Sequence, residues 1–242
     1  MARLTRFFLP NQPMHVVHRG KDGRRVFFGK TDYARYRDWL ADAAEKYGCA
    51  VHGYALLPNE VHLLVTGRSA ESLPRLLQSL GRRHTRQINA ARGLEGARWE
   101  GRYRAAPVEA GPHLLDCQRY IESLPVRAAL AGSPGDYPWS SYPAHAEGKA
   151  DPVLRDHRLY RDLGTSAAKR QGSYRKLYRA PLPKGFAETL RAATYGGWAL
   201  GSAAFRRRIG AASGRRVTPL PRGRPRLEKP KAKSRSKHRR RR

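Results

Sequence analysis

The chain of 242 residues carries 49 Lys and Arg against 19 Asp and Glu, a formal net charge of +30. Charge of this size favours a polyanionic partner, with nucleic acid ahead of an anionic membrane surface. The two cysteines, Cys49 and Cys117, argue against a disulfide scaffold and a four-cysteine zinc site, and they favour a reducing compartment. No run approaches the ~18 apolar residues of a membrane span, and the N-terminus lacks the features of a signal peptide, so we expect a cytoplasmic protein.

Apolar periodicity and turn residues predict alternating strands and helices in the first part of the chain. In chain order these are a strand at 14–19, a helix at 32–47, strands at 49–57 and 60–66, a helix from 69 or 72, a short strand ending at 108 and a helix at 112–130. The two middle strands form a hairpin, and helices connect the others. The order predicts an α+β fold, with a ferredoxin-like antiparallel sheet and helices packed on it.

Composition divides the rest of the chain. We expect a first domain over 1–163, a small helical extension over 164–213 and a disordered basic tail over 214–242. Residues 215–242 contribute a net charge of +13, and residues 1–214 contribute +17. The first two segments are therefore basic in their own right.

The hairpin carries two candidate metal ligands. Pro58 and Asn59 turn the chain, and the strand that follows begins with Glu60 and His62. Successive side chains of a strand point to opposite faces, so these two share one face. A carboxylate and an imidazole can both bind one divalent cation. A half-exposed polar strand face is the simpler interpretation of the spacing alone.

A tyrosine on the third helix is the candidate nucleophile. Tyr120 lies at the edge of the helix's apolar stripe, so its ring can pack while its hydroxyl stays reachable. A tyrosine oxygen can attack a phosphodiester and hold a covalent intermediate. Its pKa near 10 makes it a weak nucleophile at neutral pH, so a metal would have to assist. Taken by itself, Tyr120 is one of twelve tyrosines, and packing alone would explain it.

Four motifs in order resemble one family. They are LPNEVHLL at 57–64, WEGRY at 99–103, YIESLPVRA at 120–128 and DYPWSSY at 136–142. Together they are similar to the REP-associated tyrosine transposases, which belong to the HUH-type single-tyrosine transposases of small insertion sequences. The ordered resemblance covers about residues 9–163, with weaker similarity to about 226.

The resemblance implies a protein that binds single-stranded DNA hairpins, the repetitive extragenic palindromes of a bacterial chromosome. It implies cleavage and rejoining through a 5′-phosphotyrosine at Tyr120, with Mg²⁺ or Mn²⁺ held by Glu60 and His62. Such a protein would associate with the bacterial nucleoid and act in DNA transposition.

Two positions depart from the family pattern. The first of the family's paired histidines is replaced by Glu60, whose carboxylate also suits Mg²⁺ or Mn²⁺. The amide residue expected one turn after the nucleophile is replaced by Leu124, which cannot bind a metal. Asp116, one turn before Tyr120, is a candidate substitute ligand, and His113 is another.

Basic and aromatic side chains supply a DNA-binding surface. Arginines predicted to surround the site would contact phosphates, while Tyr103 and Trp99 could stack on unpaired bases. A core position for Trp99 is an equal alternative. The arginines are Arg19, Arg82, Arg83, Arg86, Arg102 and Arg104.

The tail contains PRGRPR at 221–226, which resembles an AT-hook core. Arg222 and Arg224 on either side of Gly223 would enter a narrow A·T minor groove. A plain polycationic tail is an equal alternative.

Three functions remain open from the sequence. The first is an enzyme that nicks and rejoins single-stranded DNA. The second is a domesticated, cleavage-deficient DNA-binding protein of the same family, which Leu124 favours. The third is an RNA-binding protein that uses the same basic face. The sequence does not decide whether the chain forms a homodimer, and no membrane partner is expected.

Overall fold

An antiparallel hairpin turning at Pro58 and Asn59 is the centre of the fold. A computed structural model describes residues 8–220. Strand β2 (Cys49–Leu57) pairs with β3 (Glu60–Gly67), β3 pairs with β1 (Pro13–Arg19), and β1 pairs with β4 (Arg104–Pro107). All three pairings are antiparallel and the order is β2-β3-β1-β4. With a helix between β1 and β2 and another between β3 and β4, this is the ferredoxin-like topology predicted from the sequence.

Eight helices lie in the described part of the chain, and the first three match the predicted ones. Helix α1 begins two residues before the predicted start, because the Asp32 carboxylate accepts the N–H groups of Phe28 and Gly29 and caps the helix there. None of the helices between residues 8 and 220 is long and apolar enough to cross a bilayer. The bounds are α1 Lys30–Lys46, α2 Ser72–Arg92, α3 Pro112–Arg127, α4 Tyr142–Glu147, α5 Arg158–Arg161, α6 Ala167–Leu177, α7 Phe186–Gly196 and α8 Ala203–Ser213.

Helices cover both faces of the sheet. Side chains of α1 and α2 pack with Val16, Val61 and Leu63 on one face. Side chains of α3 and α7 pack with Leu64 and Ala106 on the other. Because the strands are buried on both faces, the polar residues among them lie between helices rather than in open solvent.

Irregular segments cover the two outer strands. The carbonyl of Trp139 accepts the N–H of Leu56 at 2.9 Å, and further along β2 the carbonyl of Val51 accepts the N–H of Arg155 at 2.8 Å. At the end of β4, the N–H of Leu200 donates to the carbonyl of Pro107 at 2.8 Å. The backbone groups that would be free at these points of the sheet edges are therefore paired.

The C-terminal helices pack against the sheet. Leu190 of α7 is fully buried in the same apolar cluster as Leu64 and Ile121. The packed chain also continues past α8, since Val217 is buried and its carbonyl accepts the N–H of Ala199 at 2.9 Å. Ordered packing thus extends beyond residue 214, where the sequence predicted the tail to begin.

A buried carboxylate ties α3 to the helices that follow it. Glu122 is fully buried, and its Oε1 accepts hydrogen bonds from Ser141 at 2.6 Å and His145 at 2.7 Å. Its Oε2 accepts bonds from Tyr174 and Tyr178, each at 2.7 Å. Burial alone would raise the pKa of Glu122, but the charge of His145 and these donors hold it below its usual value.

Replacing Glu122 should therefore loosen α4 and α6. Glu122→Gln loses the charge and one acceptor oxygen, and we expect it to lower the free energy of unfolding by about 2–4 kcal/mol. Denaturant unfolding at neutral pH measures this. The matched control is Glu147→Gln, since Glu147 is partly exposed beside Lys149 and should matter little.

The same variant has a defined pH dependence. A carboxyl whose pKa is lowered by folding stabilises the protein at pH values above its pKa in the unfolded chain. This stabilisation is lost as the pH falls through its pKa in the folded protein. The stability difference between the native protein and Glu122→Gln should therefore narrow below about pH 4. A constant difference down to acid pH would contradict an ionised Glu122.

Candidate active site

A cavity of about 370 Å³ opens where one face of the sheet meets α3 and α7. The strands contribute its polar wall, and the helices contribute two phenols and two guanidinium groups. Its lining is His15, Val17, Arg19, Leu57, Asn59, Glu60, His62, Tyr120, Leu124, Arg127, Ala128, Arg191, Thr194 and Tyr195.

Glu60 and His62 lie side by side in this cavity, on the face that strand alternation predicted. The Oε1 of Glu60 is 3.1 Å from the Nε2 of His62. Burial would raise the pKa of Glu60, but His62, Arg19 and Arg191 together hold it below its usual value. The carboxylate is therefore ionised at neutral pH and available as an oxygen donor.

Tyr120 of α3 faces this pair across the cavity. The centre of its ring is 6.4 Å from that of His62 and 6.1 Å from that of His15. Only 3% of the residue is exposed, so it is more deeply placed than the edge position expected from the helix pattern. Burial raises the pKa of its phenol to about 12, and the phenol is therefore protonated at neutral pH.

Two arginines lie close to the phenol. The guanidinium of Arg127, at the end of α3, is 5.7 Å from the centre of the Tyr120 ring. Arg191 of α7 and Arg127 both act to lower the pKa of Tyr120, against the larger effect of burial. Cations at this position favour both a phenolate and a bound phosphate.

Four further residues of the cavity, His15, Arg127, Arg191 and Thr194, were not predicted from the sequence. His15 of β1 lies next to His62, with 3.3 Å between its Nε2 and the Nδ1 of His62. Burial, and then the neighbouring His62, hold the pKa of His15 well below its usual value. The alternation of side chains along β1 could have predicted that His15 and Arg19 share a face of the sheet. No local pattern could have predicted that α7 packs on that face.

The substitute ligands proposed for Leu124 lie elsewhere. The carboxylate of Asp116 is 3.0 Å from the Nη1 of Arg119, outside the cavity lining. His113 contacts Phe186, with 6.5 Å between the ring centres. Leu124 itself lines the cavity. Within residues 8–220, His, Cys, Asp and Glu side chains form no group of three or more that could hold a metal.

The predicted DNA-binding residues are divided between the two faces of the sheet. Arg19 lines the cavity, and Arg104 pairs across from Val17 on the same face. Arg83 stacks over Trp39 instead, 4.8 Å from the ring centre. Arg222 and Arg224, with the AT-hook-like segment, lie outside the described residues.

The remaining predicted residues line a groove of about 830 Å³ beside α2, which we call the arginine-rimmed groove. Trp99 stacks on His18 there, with 4.0 Å between the ring centres, and is largely buried. His18 and His15 point to opposite faces of β1, so the groove and the cavity are on opposite sides of the sheet. The groove is lined by Phe8, His18, Pro74, Arg75, Leu77, Gln78, Gly81, Arg82, Thr85, Arg86, Ala97, Arg98, Trp99, Gly101, Arg102 and Tyr103.

Known proteins resemble the chain in sequence and in fold. The family model of IS200-like transposases matches residues 9–124. The structure of a REP-associated tyrosine transposase bound to a REP hairpin covers 65% of this chain and 93% of its own, at 17% identity and a TM-score of 0.51. A candidate transposase from Deinococcus radiodurans R1 covers 50% of this chain and 97% of its own, at 20% identity and a TM-score of only 0.35. No curated protein matches the chain.

At 17% identity, the first structure shows that the two proteins share a fold. Residues 9–124, just under half of the chain, match the family model of IS200-like transposases, which confirms the resemblance found in the motifs. The matched residues include Tyr120, Glu60 and His62, whereas α7 lies beyond them.

The state of the Tyr120 phenol can be measured directly. Because burial outweighs the two arginines, its hydroxyl should remain protonated up to at least about pH 10, the ordinary tyrosine pKa. Carbon NMR of tyrosine labelled at Cζ reports this, with the signal assigned by its loss in Tyr120→Phe. Arg191→Met should raise the pKa further, whereas Arg206→Met on exposed α8 should not. A titration below the ordinary value would contradict this environment.

Proposed function

We propose that this protein binds folded single-stranded DNA hairpins and cuts and rejoins them through a covalent bond to Tyr120. One observation carries the proposal: Tyr120 faces Glu60 and His62 across a single cavity that Arg127 and Arg191 make positive. The related structure is bound to a REP hairpin, which makes such a hairpin the substrate to test first.

In the proposed reaction, the oxygen of Tyr120 attacks the phosphorus of a scissile phosphodiester and gives up its proton. A bond forms between the phenolic oxygen and phosphorus, and the bond to the 3′ oxygen breaks. The 3′ oxygen takes up a proton and leaves as a hydroxyl, while the 5′ phosphate stays on the tyrosine. Attack of a 3′ hydroxyl on the phosphotyrosine reverses these steps and rejoins the strand.

Arg127 and Arg191 act on both partners of this reaction. Their charges favour the phenolate against the effect of burial, and they can neutralise the phosphate that the phenolate attacks. Arg19, on the opposite wall beside Glu60, is placed to hold a neighbouring phosphate.

Glu60 and His62 would hold a divalent cation, and the donor atoms present fit one. Two ligands at right angles on an ion with bonds of about 2.1 Å lie about 3 Å apart, close to the 3.1 Å observed. An oxygen and an imidazole nitrogen suit Mn²⁺ or Mg²⁺, which keep water and phosphate in their other positions. When bound, such an ion polarises the phosphate and stabilises the charge that develops on it.

A second candidate function is hairpin binding without cleavage. Leu124 presents an apolar side chain to the cavity where the family pattern has an amide, and Asp116 is paired with Arg119. With two protein ligands instead of three, a metal would bind more weakly. A cleavage-deficient descendant that still recognises DNA fits this observation.

The arginine-rimmed groove is proposed as a second DNA contact. Its floor contains Leu77 and Trp99, and its rim carries Arg82, Arg86 and Arg102. Aromatic and apolar surface suits unpaired bases, while the arginines suit the phosphates on either side of them. A DNA strand bound in this groove would reach the cavity by passing around an edge of the sheet.

A covalent-adduct assay separates the two candidate functions. Incubation with a single-stranded REP-like hairpin and Mn²⁺ should give a protein–DNA adduct that survives denaturing electrophoresis. Tyr120→Phe should abolish the adduct and leave hairpin affinity unchanged, because the phenyl ring preserves the packing. Tyr195→Phe, in the same cavity, is the matched control and should keep the adduct. An adduct that persists in Tyr120→Phe would reject cleavage at Tyr120. So would a native protein that forms no adduct with any divalent metal.

Groove arginines should determine the salt dependence of binding. The pair Arg82→Gln and Arg86→Gln should weaken hairpin binding and reduce the slope of log K against log salt by about 1.4, or ~0.7 for each phosphate that is no longer neutralised. The control pair is Arg206→Gln and Arg207→Gln, since both residues are exposed on α8 and outside the groove lining. Equal losses of affinity in the two pairs would show that only total charge matters.

A further inference from the structure

Arg127 lines a second cavity, of about 400 Å³, as well as the candidate active site. Its walls are helix α3, the segment between α6 and α7, and the first turn of α7. We call this cavity the Arg119 pocket. Among its lining residues, Arg119, Arg127 and Lys184 are basic and Glu188 is acidic, so positive charge is in excess. A cavity of this charge suits an anion.

Arg119 is the buried base of this pocket, with only 9% of its side chain exposed. Its Nη1 donates to the carboxylate of Asp116 at 3.0 Å, and its Nη2 donates to the carbonyl of Ala180. The guanidinium also lies 5.7 Å from the centre of the Tyr178 ring. A guanidinium has five N–H donors, and that on Nε has no hydrogen-bond partner among the described residues. An anion in the pocket would supply acceptors for the donors that remain.

The first turn of α7 borders the pocket with backbone N–H groups. Gly185 precedes the helix, and no side chain caps it there. Ala187 and Glu188 line the pocket as the second and third residues of the helix, where N–H groups have no carbonyl partner within the helix. The positive end of the helix dipole adds to the charges of Arg127 and Lys184, which are both exposed.

Arg127 joins the Arg119 pocket to the candidate active site. Its guanidinium is 5.7 Å from the centre of the Tyr120 ring. Arg119 lies eight residues earlier on the same helix, about 12 Å along its axis at ~1.5 Å per residue. A stacked DNA strand advances about 3.4 Å per nucleotide, and an unstacked strand advances further. A strand that reaches Tyr120 would therefore bring another of its phosphates to Arg119 within about four nucleotides.

We propose that the Arg119 pocket binds a second phosphodiester of the DNA strand, within about four nucleotides of the one that Tyr120 attacks. This inference rests on the proposed function. The phosphate oxygens would accept hydrogen bonds from Arg119 and from the N–H groups of α7, and Lys184 would neutralise part of the charge. Phosphate contacts carry no sequence information, so the pocket would fix the position of the strand rather than select its bases.

Neutral linkages in the DNA test this placement. A methylphosphonate removes the charge of one phosphate, and it is introduced in turn at each linkage of the single-stranded flanks of a REP-like hairpin. Affinity is measured in the Tyr120→Phe protein, so that cleavage does not disturb the equilibrium. At one position, the pocket position, the neutral linkage should cost about tenfold in affinity.

Two variants in this Tyr120→Phe protein identify the pocket position. Arg119→Gln should bind the unmodified hairpin at least about tenfold more weakly, and a methylphosphonate at the pocket position should then cost no further affinity. Lys184→Gln should weaken binding about threefold and reduce the cost of the same methylphosphonate. The matched control is Arg179→Gln, which removes an exposed charge beside the pocket but outside its lining. It should leave the cost of every methylphosphonate unchanged.

Two outcomes would overturn the inference. In one, no methylphosphonate position is coupled to Arg119 or Lys184. In the other, Arg179→Gln shows the same coupling, which would mean that only the total charge matters. Arg119→Gln also loses the contacts with Asp116 and Ala180, so its folding is checked by circular dichroism. If it does not fold, the exposed Lys184 decides the test.

These results are distinguishable from failure of the proposed function. Coupling at one position, with no covalent adduct in the native protein, would support the pocket and reject cleavage. An adduct without coupling would reject the pocket alone. A protein that binds no hairpin would reject both.

Discussion

The antiparallel pairing of β1 with β3 determines the composition of the cavity wall. In this register Arg19 lies opposite Glu60 and Val17 lies opposite His62. Directly paired residues share a face, so the pairing gathers the charged and imidazole groups of two strands on one side of the sheet. A slip by one residue would exchange Glu60 and His62 for apolar neighbours. The apolar side chains on the other face, packed against α1 and α2, oppose such a slip.

The position of α3 relative to that wall depends on packing and on one buried charge. Tyr120 and Glu122 are two residues apart on the helix, so they point to different sides of it. Tyr120 enters the cavity, whereas Glu122 accepts hydrogen bonds from His145 of α4 and Tyr174 of α6. On the side away from the cavity, helix α3 is therefore fixed by hydrogen bonds from the segments that follow it in the chain. Helix α7, later in the chain, then completes the cavity with Arg191 and Tyr195.

The sequence predicted those features that local pattern determines. The strand period was enough to place Glu60 with His62, and the turn residues were enough to predict the hairpin. Tyr120 could not be identified in this way, because the chain has twelve tyrosines. Only the ordered motifs distinguished it from the others as the candidate nucleophile. Its depth in the protein depends on α7, which no pattern around residue 120 describes.

Long-range contacts account for what sequence reasoning missed. His15 and Thr194 are 179 residues apart, so their hydrogen bond has no local signature. The arginines of α2 were expected around the site, but Arg82 and Arg86 line a groove on the other side of the sheet. Helical period shows which residues of α2 are outward-facing, but it does not show which face of the sheet the helix covers.

The paired backbone at the outer strands has a consequence for self-association. Exposed strand edges are templates on which a second copy of a chain can add its own strand. Here Trp139 and Arg155 are hydrogen-bonded to β2, and Leu200 is hydrogen-bonded at the end of β4. A second molecule would have to displace these segments to extend the sheet at those points. A homodimer of this chain should therefore join through side chains on helices and loops, with each sheet remaining four strands wide.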